Sequence, residues 1–154
     1  MAESNFRPVS TVINPSDASY TANDVVGGLL TVTPLSLPAV LCGVRVAVGE
    51  ASTALAGTLY FFKSAPTTIA DNAAFTGQTA ADNAKLISYY TLPTAITINS
   101  FNIYNGMYGR DSFPLIPVDP TNGSIYVYYV TSSTPNFTGA AQVVNIDWYF
   151  MGGL

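Results

Sequence analysis

Two carboxylates lie in a polar stretch near the start of the sequence, NPSDASYTANDVVGG (residues 14–28). Asp17 and Asp24 stand there among Asn, Ser and Thr, and Gly27 and Gly28 close the run. Oxygen ligands suit hard cations such as Ca²⁺, and successive backbone N–H groups in a turn can hold a phosphate. The spacing of the two Asp residues does not match a calcium loop with ligands at alternate positions. We therefore interpret the stretch as a connection between two strands, in which the Gly pair marks a bulge or a close backbone approach.

Carboxylates are also the main catalytic groups that the composition leaves available. The chain has no histidine and one cysteine, which removes His-based nucleophile activation and the usual zinc sites. A pair of carboxylates can still hydrolyse glycosides. The candidates are Asp71, Asp82, Asp111, Asp119 and Asp147. Four of them lie in turn-like contexts, where Asp commonly bonds to nearby backbone, and Asp147 suits a solvated or interface carboxylate. We predict that the chain is not an enzyme and binds no metal or other cofactor.

Charge is scarce in this chain of 154 residues. Charged residues make up 9% of it, against about 25% in typical soluble domains. The net charge is −4, so the basic surface that binds nucleic acid is missing. The uncharged run between Asp24 and Arg45 is long enough for a membrane span, but Pro34 and Pro38 argue against a helix there. We expect neither a nucleic-acid partner nor a membrane, and a surface that is uncharged or hidden against other proteins.

Alternation of apolar and other residues indicates β-strands along most of the chain. The clearest cases are VLCGVRVAV (40–48) and QVVNIDWYF (142–150), each with one apolar face. Further strand-like runs are VSTVI (9–13), VVGGLLTV (25–32), GTLYFFK (57–63), KLISYYT (85–91), TAITIN (94–99) and SIYVYYV (124–130). About eight strands with Gly- and Pro-rich turns predict an all-β antiparallel β-sandwich or a barrel. We assign this single domain to residues 11–154, after an N-terminal arm at 1–10.

One segment, residues 69–87, lacks the alternation of the strands. It is rich in Ala and contains Asp-Asn-Ala twice. A triplet match of common loop residues is too weak to indicate a repeat. We predict a long ordered loop with a short helical turn, and loops of this length are often functional or ordered by a partner.

The tyrosines of SIYVYYV are the strongest indication of a contact surface. Tyr126 and Tyr128 fall on one face of the predicted strand, and the opposite face is apolar as well. Such a strand is either covered on both sides or presents its tyrosines to a partner. Tyrosine is enriched at protein interfaces, although core packing would also explain the pattern. The predicted interface residues are Phe6, Arg7, Pro8, Tyr126 and Tyr128, the first three in an arm that orders on a neighbour.

Several motifs resemble small structural proteins of tailed bacteriophages. They are the spacing Pro-x-Asp-x-x-x-Tyr-x-x-x-Asp-Val-Val (15–26), the Arg-bearing strand LCGVRVAV, the run LYFFKSAPTTIADNAAFTG with Asp71, Asn72, Ala73 and Phe75, and the terminal IDWYFM. The resemblance implies a jelly-roll β-sandwich that acts as a capsid cement or decoration protein. Such proteins sit on the outside of the capsid as dimers or trimers and bridge major capsid protein subunits. It also implies synthesis in the cytoplasm of a bacterial host, and it carries over no catalytic residue.

Two other functions fit a sandwich of this composition. A tail-fibre or carbohydrate-binding module would stack sugar rings on exposed Tyr side chains and on Trp148. A small hydrolase would need two of the aspartates in one cleft, about 5–10 Å apart.

Overall fold

A computed structural model of the chain describes residues 8–16, 18–49, 55–99, 101–137 and 142–152. Over these residues the chain forms ten β-strands and one short helix. The elements are β1 (Pro8–Ile13), β2 (Leu30–Val32), β3 (Ala39–Val48), β4 (Gly57–Phe62), α1 (Ala80–Asn83), β5 (Leu86–Thr91), β6 (Ile96–Ile98), β7 (Phe101–Met107), β8 (Ile116–Pro117), β9 (Ile125–Thr131) and β10 (Val144–Gly152).

The strands form two antiparallel sheets with jelly-roll topology. The first sheet has the order β1-β10-β3-β7-β6, with β8 paired to the start of β3, and the second has the order β2-β9-β4-β5. Without the short strands β6 and β8, the orders β1-β10-β3-β7 and β2-β9-β4-β5 are those of an eight-stranded jelly roll. The predicted antiparallel β-sandwich and its jelly-roll topology are therefore confirmed.

Alternation places one apolar row of each sheet in the space between the two sheets. Val44, Val46 and Val48 of β3 face Val127 and Tyr129 of β9 across this core, and all five are fully buried. Each fully buried aliphatic side chain contributes about 1.5–3 kcal/mol relative to an exposed one, so these rows supply much of the stability.

Polar groups within the core are paired. The Trp148 indole is fully buried and donates a hydrogen bond to Thr11 Oγ1 at 3.0 Å. Tyr129 donates its hydroxyl proton to the Leu55 carbonyl, and the Leu55 N–H donates to Tyr104 Oη at 2.9 Å. The two tyrosines therefore satisfy both backbone groups of Leu55, which would otherwise be buried without partners.

The run VVGGLLTV was predicted as one strand, but only Leu30–Val32 is a strand. Gly27 and Gly28 interrupt it with φ values of +79° and +71°, a backbone conformation outside the strand region. A Cβ on Gly27 would lie 2.4 Å from Ile13 Cγ2. The Gly pair therefore marks a close approach to β1, as the sequence indicated.

The strand β7 was not predicted, because Asn102 and Gly106 hold two of its three inward positions and Tyr104 holds the third. Asn102 and Gly106 both face inward and are buried. Asn102 Oδ1 accepts a hydrogen bond from Thr97 Oγ1 at 2.8 Å. Gly106 leaves room for Tyr90, whose ring lies 2.4 Å from the position that a Cβ would take. With these residues in place, the sequence of β7 does not show the usual pattern of a half-buried strand.

Residues 63–79, here named the cover loop, lie over the outer face of the second sheet. Phe75 stacks on the Tyr60 ring with centroids 4.9 Å apart, and its ring meets Tyr128 edge-on at 5.5 Å. Backbone hydrogen bonds join the loop to residues 23–25, including Val25 N–H to Ala73 O at 2.9 Å. The helix α1 follows directly, so the predicted long loop with a short helical turn is confirmed.

Asp71 ties the cover loop to the polar stretch at 14–28. Its carboxylate accepts hydrogen bonds from Gly27 N–H at 2.6 Å, Tyr20 Oη at 2.8 Å and Ser16 N–H at 2.8 Å. Partial burial opposes ionisation of Asp71, but the hydrogen bonds from Gly27, Tyr20 and Ser16 outweigh it and lower its pKa below the ordinary aspartate value. The phenol of Tyr20 responds in the opposite direction, since burial raises its pKa to about 12.

We expect Asp71→Asn to lower the free energy of unfolding at pH 7 by about 1–3 kcal/mol, because an amide replaces a charge-assisted acceptor. The lowered pKa means that the ionised Asp71 stabilises the fold above the ordinary aspartate pKa of about 3.9, and that this contribution disappears as the pH falls through the lowered value. The difference between wild type and variant should therefore shrink below about pH 4. Urea unfolding at several pH values measures it.

Asp119→Asn is the matched control, since the Asp119 carboxylate accepts a local turn hydrogen bond from Thr121 N–H. A difference between wild type and Asp71→Asn that does not change with pH would contradict the assigned role of Asp71.

Candidate interaction surface

Of the predicted N-terminal contact residues, the structure describes Pro8, which lies in an edge strand of the first sheet. Phe6 and Arg7 fall outside the described residues. Pro8 is exposed and begins β1, where it pairs with Tyr149 of β10. Residues 8–10, assigned to the arm from the sequence, form the first half of this edge strand. The role of the arm in binding a neighbour stays a prediction.

Tyr126 and Tyr128 lie on the outer face of the second sheet, beneath or beside the cover loop. Tyr128 is fully buried, donates its hydroxyl proton to Thr67 O at 2.7 Å and accepts from Ile69 N–H at 2.8 Å. Burial also raises the pKa of this phenol. Tyr126 is half-buried beside the same cluster. The strand that is apolar on both faces is thus covered twice by its own chain. Tyr128 contacts the cover loop, and a contact of these tyrosines with a partner stays a prediction.

The aspartates considered for catalysis each bind a different set of neighbours. Asp71 holds the cover loop to residues 14–28, and Asp82 accepts from Thr67 and Thr79 and pairs with Lys85. Hydrogen bonds from the Thr79 backbone and the Thr67 side chain lower the pKa of Asp82 well below its usual range. The remaining contacts are Asp111 with Arg110 at 2.7 Å, Asp119 with Thr121 N–H at 2.8 Å, and Asp147 with Arg45 at 3.1 Å. Each of these contacts has a structural explanation, and the absence of an enzymatic activity stays a prediction.

For Asp17 and Asp24, the two carboxylates of the stretch at 14–28, the structure does not describe a shared binding site. Asp17 lies outside the described residues, and Asp24 accepts hydrogen bonds from the N–H and hydroxyl of Thr21 at 2.6 and 2.9 Å. In the described part of the chain, no group of three His, Cys, Asp or Glu side chains could hold a metal ion. That part also contains no helix long and apolar enough to cross a membrane.

The outer face of the first sheet, here named the open face, has no described element packed over it. Inward positions on its strands belong to the core, so the alternate residues point outward. Val12 on β1 is 58% exposed, in contrast to the buried Tyr128 on the corresponding face of the other sheet. The outward residues are Pro8, Ser10, Val12, Asn145, Asp147, Tyr149, Gly43, Arg45, Ala47, Phe101, Ile103, Asn105, Met107, Ile96 and Ile98.

The most apolar part of the open face is its β6–β7 edge. Ile96, Ile98 and Phe101, here named the edge patch, are 59%, 52% and 48% exposed. Ile98 pairs directly with Phe101, and Ile96 pairs with Ile103, so these side chains are cross-strand neighbours. β6 is also the last strand of its sheet, which leaves one side of its backbone open to a partner. Contiguous exposed apolar side chains of this kind mark protein interaction sites.

A hollow of about 320 Å³ borders the edge patch. Its lining includes the apolar side chains of Ile96 and Ile103 and the ion pair of Arg110 and Asp111. The hydrogen bond and charge of Arg110 hold the pKa of Asp111 below its ordinary value. The other lining residues are Pro93, Thr94 and Asn105. The hollow therefore combines apolar side chains with an ion pair whose two charges neutralise each other.

The sequence predicts the strand that carries Ile96 and Ile98, but it does not predict which face of that strand points outward. TAITIN alternates, and its Ile residues would normally face the core. In the structure Thr97 lies on the same face as the inward Asn102 and donates a hydrogen bond to it, so Ile96 and Ile98 lie on the opposite face; all three residues of β6 are exposed. The alternation shows which residues share a face, and the burial of that face depends on the neighbouring strand.

Comparison with protein-family models and with curated protein sequences gives no match for this chain. By structure it is similar to a chain of the full particle of Israeli acute paralysis virus heated to 63 degrees, with a TM-score of 0.31, 13% identity, and coverage of 95% of this chain and 71% of that chain. It is also similar to a chain of a marine algae virus of the order Picornavirales, with a TM-score of 0.28, 16% identity, and coverage of 97% of this chain and 70% of that chain. For a chain of infectious bursal disease virus, Gt strain, the TM-score is 0.19 and the identity 13%, with coverage of 95% of this chain and 42% of that chain. The jelly-roll assignment rests on the strand order and not on these scores.

We expect Tyr128→Phe to lower the free energy of unfolding by about 1–3 kcal/mol, because the Thr67 carbonyl and the Ile69 N–H lose their shared partner. Tyr126→Phe is the control, since it removes the same atom from a half-buried residue of the same strand. Urea unfolding of both variants measures the difference. Equal stability of the two variants would contradict the view that the Tyr128 hydroxyl fixes the cover loop.

Proposed function

We propose that the protein is a structural protein of a virion, and specifically a capsid cement or decoration protein of a tailed bacteriophage. In this proposal it is made in the cytoplasm of the bacterial host and then binds the major capsid protein on the outer surface of the shell. The observation that carries the proposal is the edge patch, an apolar surface on the sheet over which no described element packs. The phage-like motifs along the sequence support the virion context.

The edge patch gives the binding a physical source. About half of each of its three side chains is exposed, so covering them contributes roughly 1 kcal/mol each. One such contact is weak. A cement protein acts through many symmetric copies, and linked copies bind far more tightly than single ones. The low charge of the chain also reduces the cost of removing water from the surrounding surface.

We further propose that the protein acts as a homo-oligomer of two or three copies. An oligomer presents one edge patch per copy, and it can therefore bridge neighbouring capsid subunits. A capsid cement protein acts by such bridging, because its contacts span the boundary between neighbouring capsid subunits and hold them together.

The alternative of a tail-fibre or carbohydrate-binding module has less support. It required open aromatic side chains, including Trp148, for stacking on sugar rings. Trp148 is fully buried, and so is Tyr128. The most exposed tyrosines, Tyr89 and Tyr108, lie on β5 and in the segment after β7, on different parts of the fold. Binding of a glycan array by the purified protein, together with no binding to shells, would favour this alternative.

The direct test is co-sedimentation of the purified protein with capsid shells that lack it. We expect Ile98→Asp to weaken binding by on the order of tenfold or more, because the new charge must be desolvated within an apolar contact. Ile98 is 52% exposed on a short edge strand, so the melting temperature should change little.

Leu35→Asp is the matched control for this experiment. Leu35 is 72% exposed and lies between β2 and β3, outside the edge patch. It should bind shells as the wild type does. If wild type fails to bind the shells, the proposed function is wrong; if Ile98→Asp binds as tightly as Leu35→Asp, the edge patch is not the contact surface.

A further inference from the structure

A single ion pair lies in the middle of the open face. Arg45 of β3 and Asp147 of β10 are directly opposite in register, with Nη1 and Oδ2 3.1 Å apart. Their side chains are 36% and 23% exposed, so the pair is accessible to a second molecule. Ser10 of β1 donates a further hydrogen bond to Asp147 at 2.7 Å. The pair thus offers one positive and one negative group side by side.

Uncharged rows flank the ion pair on the outward side of β1, β10, β3 and β7, here named the central face. Arg45 and Asp147 are the charged residues among its described outward side chains. Met107 packs across Gly43, its sulfur lying 2.3 Å from the position of a Cβ there, so the face has no gap at that point. The row on one side is Val12, Asn145, Ala47 and Ile103, and the row on the other is Pro8, Tyr149, Gly43 and Met107.

This arrangement is complementary to itself. Consider a two-fold axis that lies in the plane of contact, parallel to the strands and between β10 and β3. It places Arg45 against the partner's Asp147, and Asp147 against the partner's Arg45. The same axis brings β1 over β7, so that Val12 meets the partner's Ile103. We propose that the central face binds a second copy of this chain through this two-fold contact.

Charge favours a second copy over other occupants of the face. The positive and negative groups cancel, so a strongly acidic or basic partner gains nothing in approaching it. A second copy related by the axis adds to each internal pair an opposite charge from the other copy, and it covers the uncharged rows.

The size of the face sets the strength of the contact. Four strands about 4.8 Å apart and six residues of about 3.4 Å give about 400 Å² in plan, half of the roughly 800 Å² per partner of a standard interface. We therefore expect a weak dimer in solution. The axis leaves β6 beyond the edge of the partner's sheet, so Ile96 and Ile98 of the edge patch stay accessible on both copies, whereas Phe101 belongs to β7, which lies against the partner's β1.

The test uses two charge variants and their mixture. Arg45→Glu makes both central groups negative, and Asp147→Lys makes both positive. Sedimentation velocity should show that wild type dimerises with rising concentration, and that each variant alone dimerises on the order of tenfold more weakly or not at all. An equal mixture of the two variants should form heterodimers, since a negative face then meets a positive one.

The heterodimer separates a contact between copies from a contact within one chain. Both variants lose the internal pair of Arg45 and Asp147, and mixing cannot restore a pair inside either chain. A wild type that stays monomeric at its highest soluble concentration would overturn the proposal. So would variants that dimerise like wild type, or a mixture that forms no heterodimer. None of these results depends on shell binding, which the Ile98→Asp experiment tests separately.

Discussion

A strand with apolar side chains on both faces has to be covered on both faces, and β9 imposes this condition on the whole fold. Its inward side packs against the first sheet, and its outward side carries Tyr126 and Tyr128. The chain meets the condition with the cover loop, which lies between the second and third strands of the second sheet in sequence. No described element lies over the open face of the first sheet. The two outer faces therefore differ among the described residues: the cover loop packs over one, and the other is the face to which the proposed function assigns the contact with partners.

The polar groups that were considered for binding or catalysis hold the cover loop in place over the second sheet. The stretch at 14–28 was considered as a binding site for a cation or a phosphate. It does bind an anionic group, but that group is the carboxylate of Asp71, held by Gly27 N–H, Tyr20 and Ser16. Asp82 fixes the other end of the loop through Thr67 and Thr79. The carboxylates of these turns therefore stabilise a loop, and the loop in turn buries the tyrosines that the sequence offered as a contact surface.

Much of the fold could be predicted from the sequence. Alternation identified the long strands β3 and β10, and the Ala-rich segment was correctly separated from them. The topology came from the resemblance to phage structural proteins, because periodicity carries no information on strand order. The strand β7 was not predicted, because Asn102 and Gly106 stand at inward positions where a strand usually has apolar residues. The edge patch was not predicted for a related reason. TAITIN alternates as a strand should, but Thr97 pairs with Asn102 of β7, and this pairing places Ile96 and Ile98 on the outward face. The burial of a tyrosine beneath a distant loop, as at Tyr128, is likewise a property of the tertiary fold and not of its own strand.

In the proposed function the open face contacts other virion proteins, while the cover loop does not. Electron cryo-microscopy of the assembled particle, at a resolution that shows side chains, distinguishes the two surfaces. We expect density for this chain on the outside of the shell, with Ile96, Ile98 and Phe101 buried against a neighbouring protein and Phe75 of the cover loop turned away from the contact. A chain bound through its cover loop, with the edge patch exposed to solvent, would show that the open face is not the contact surface.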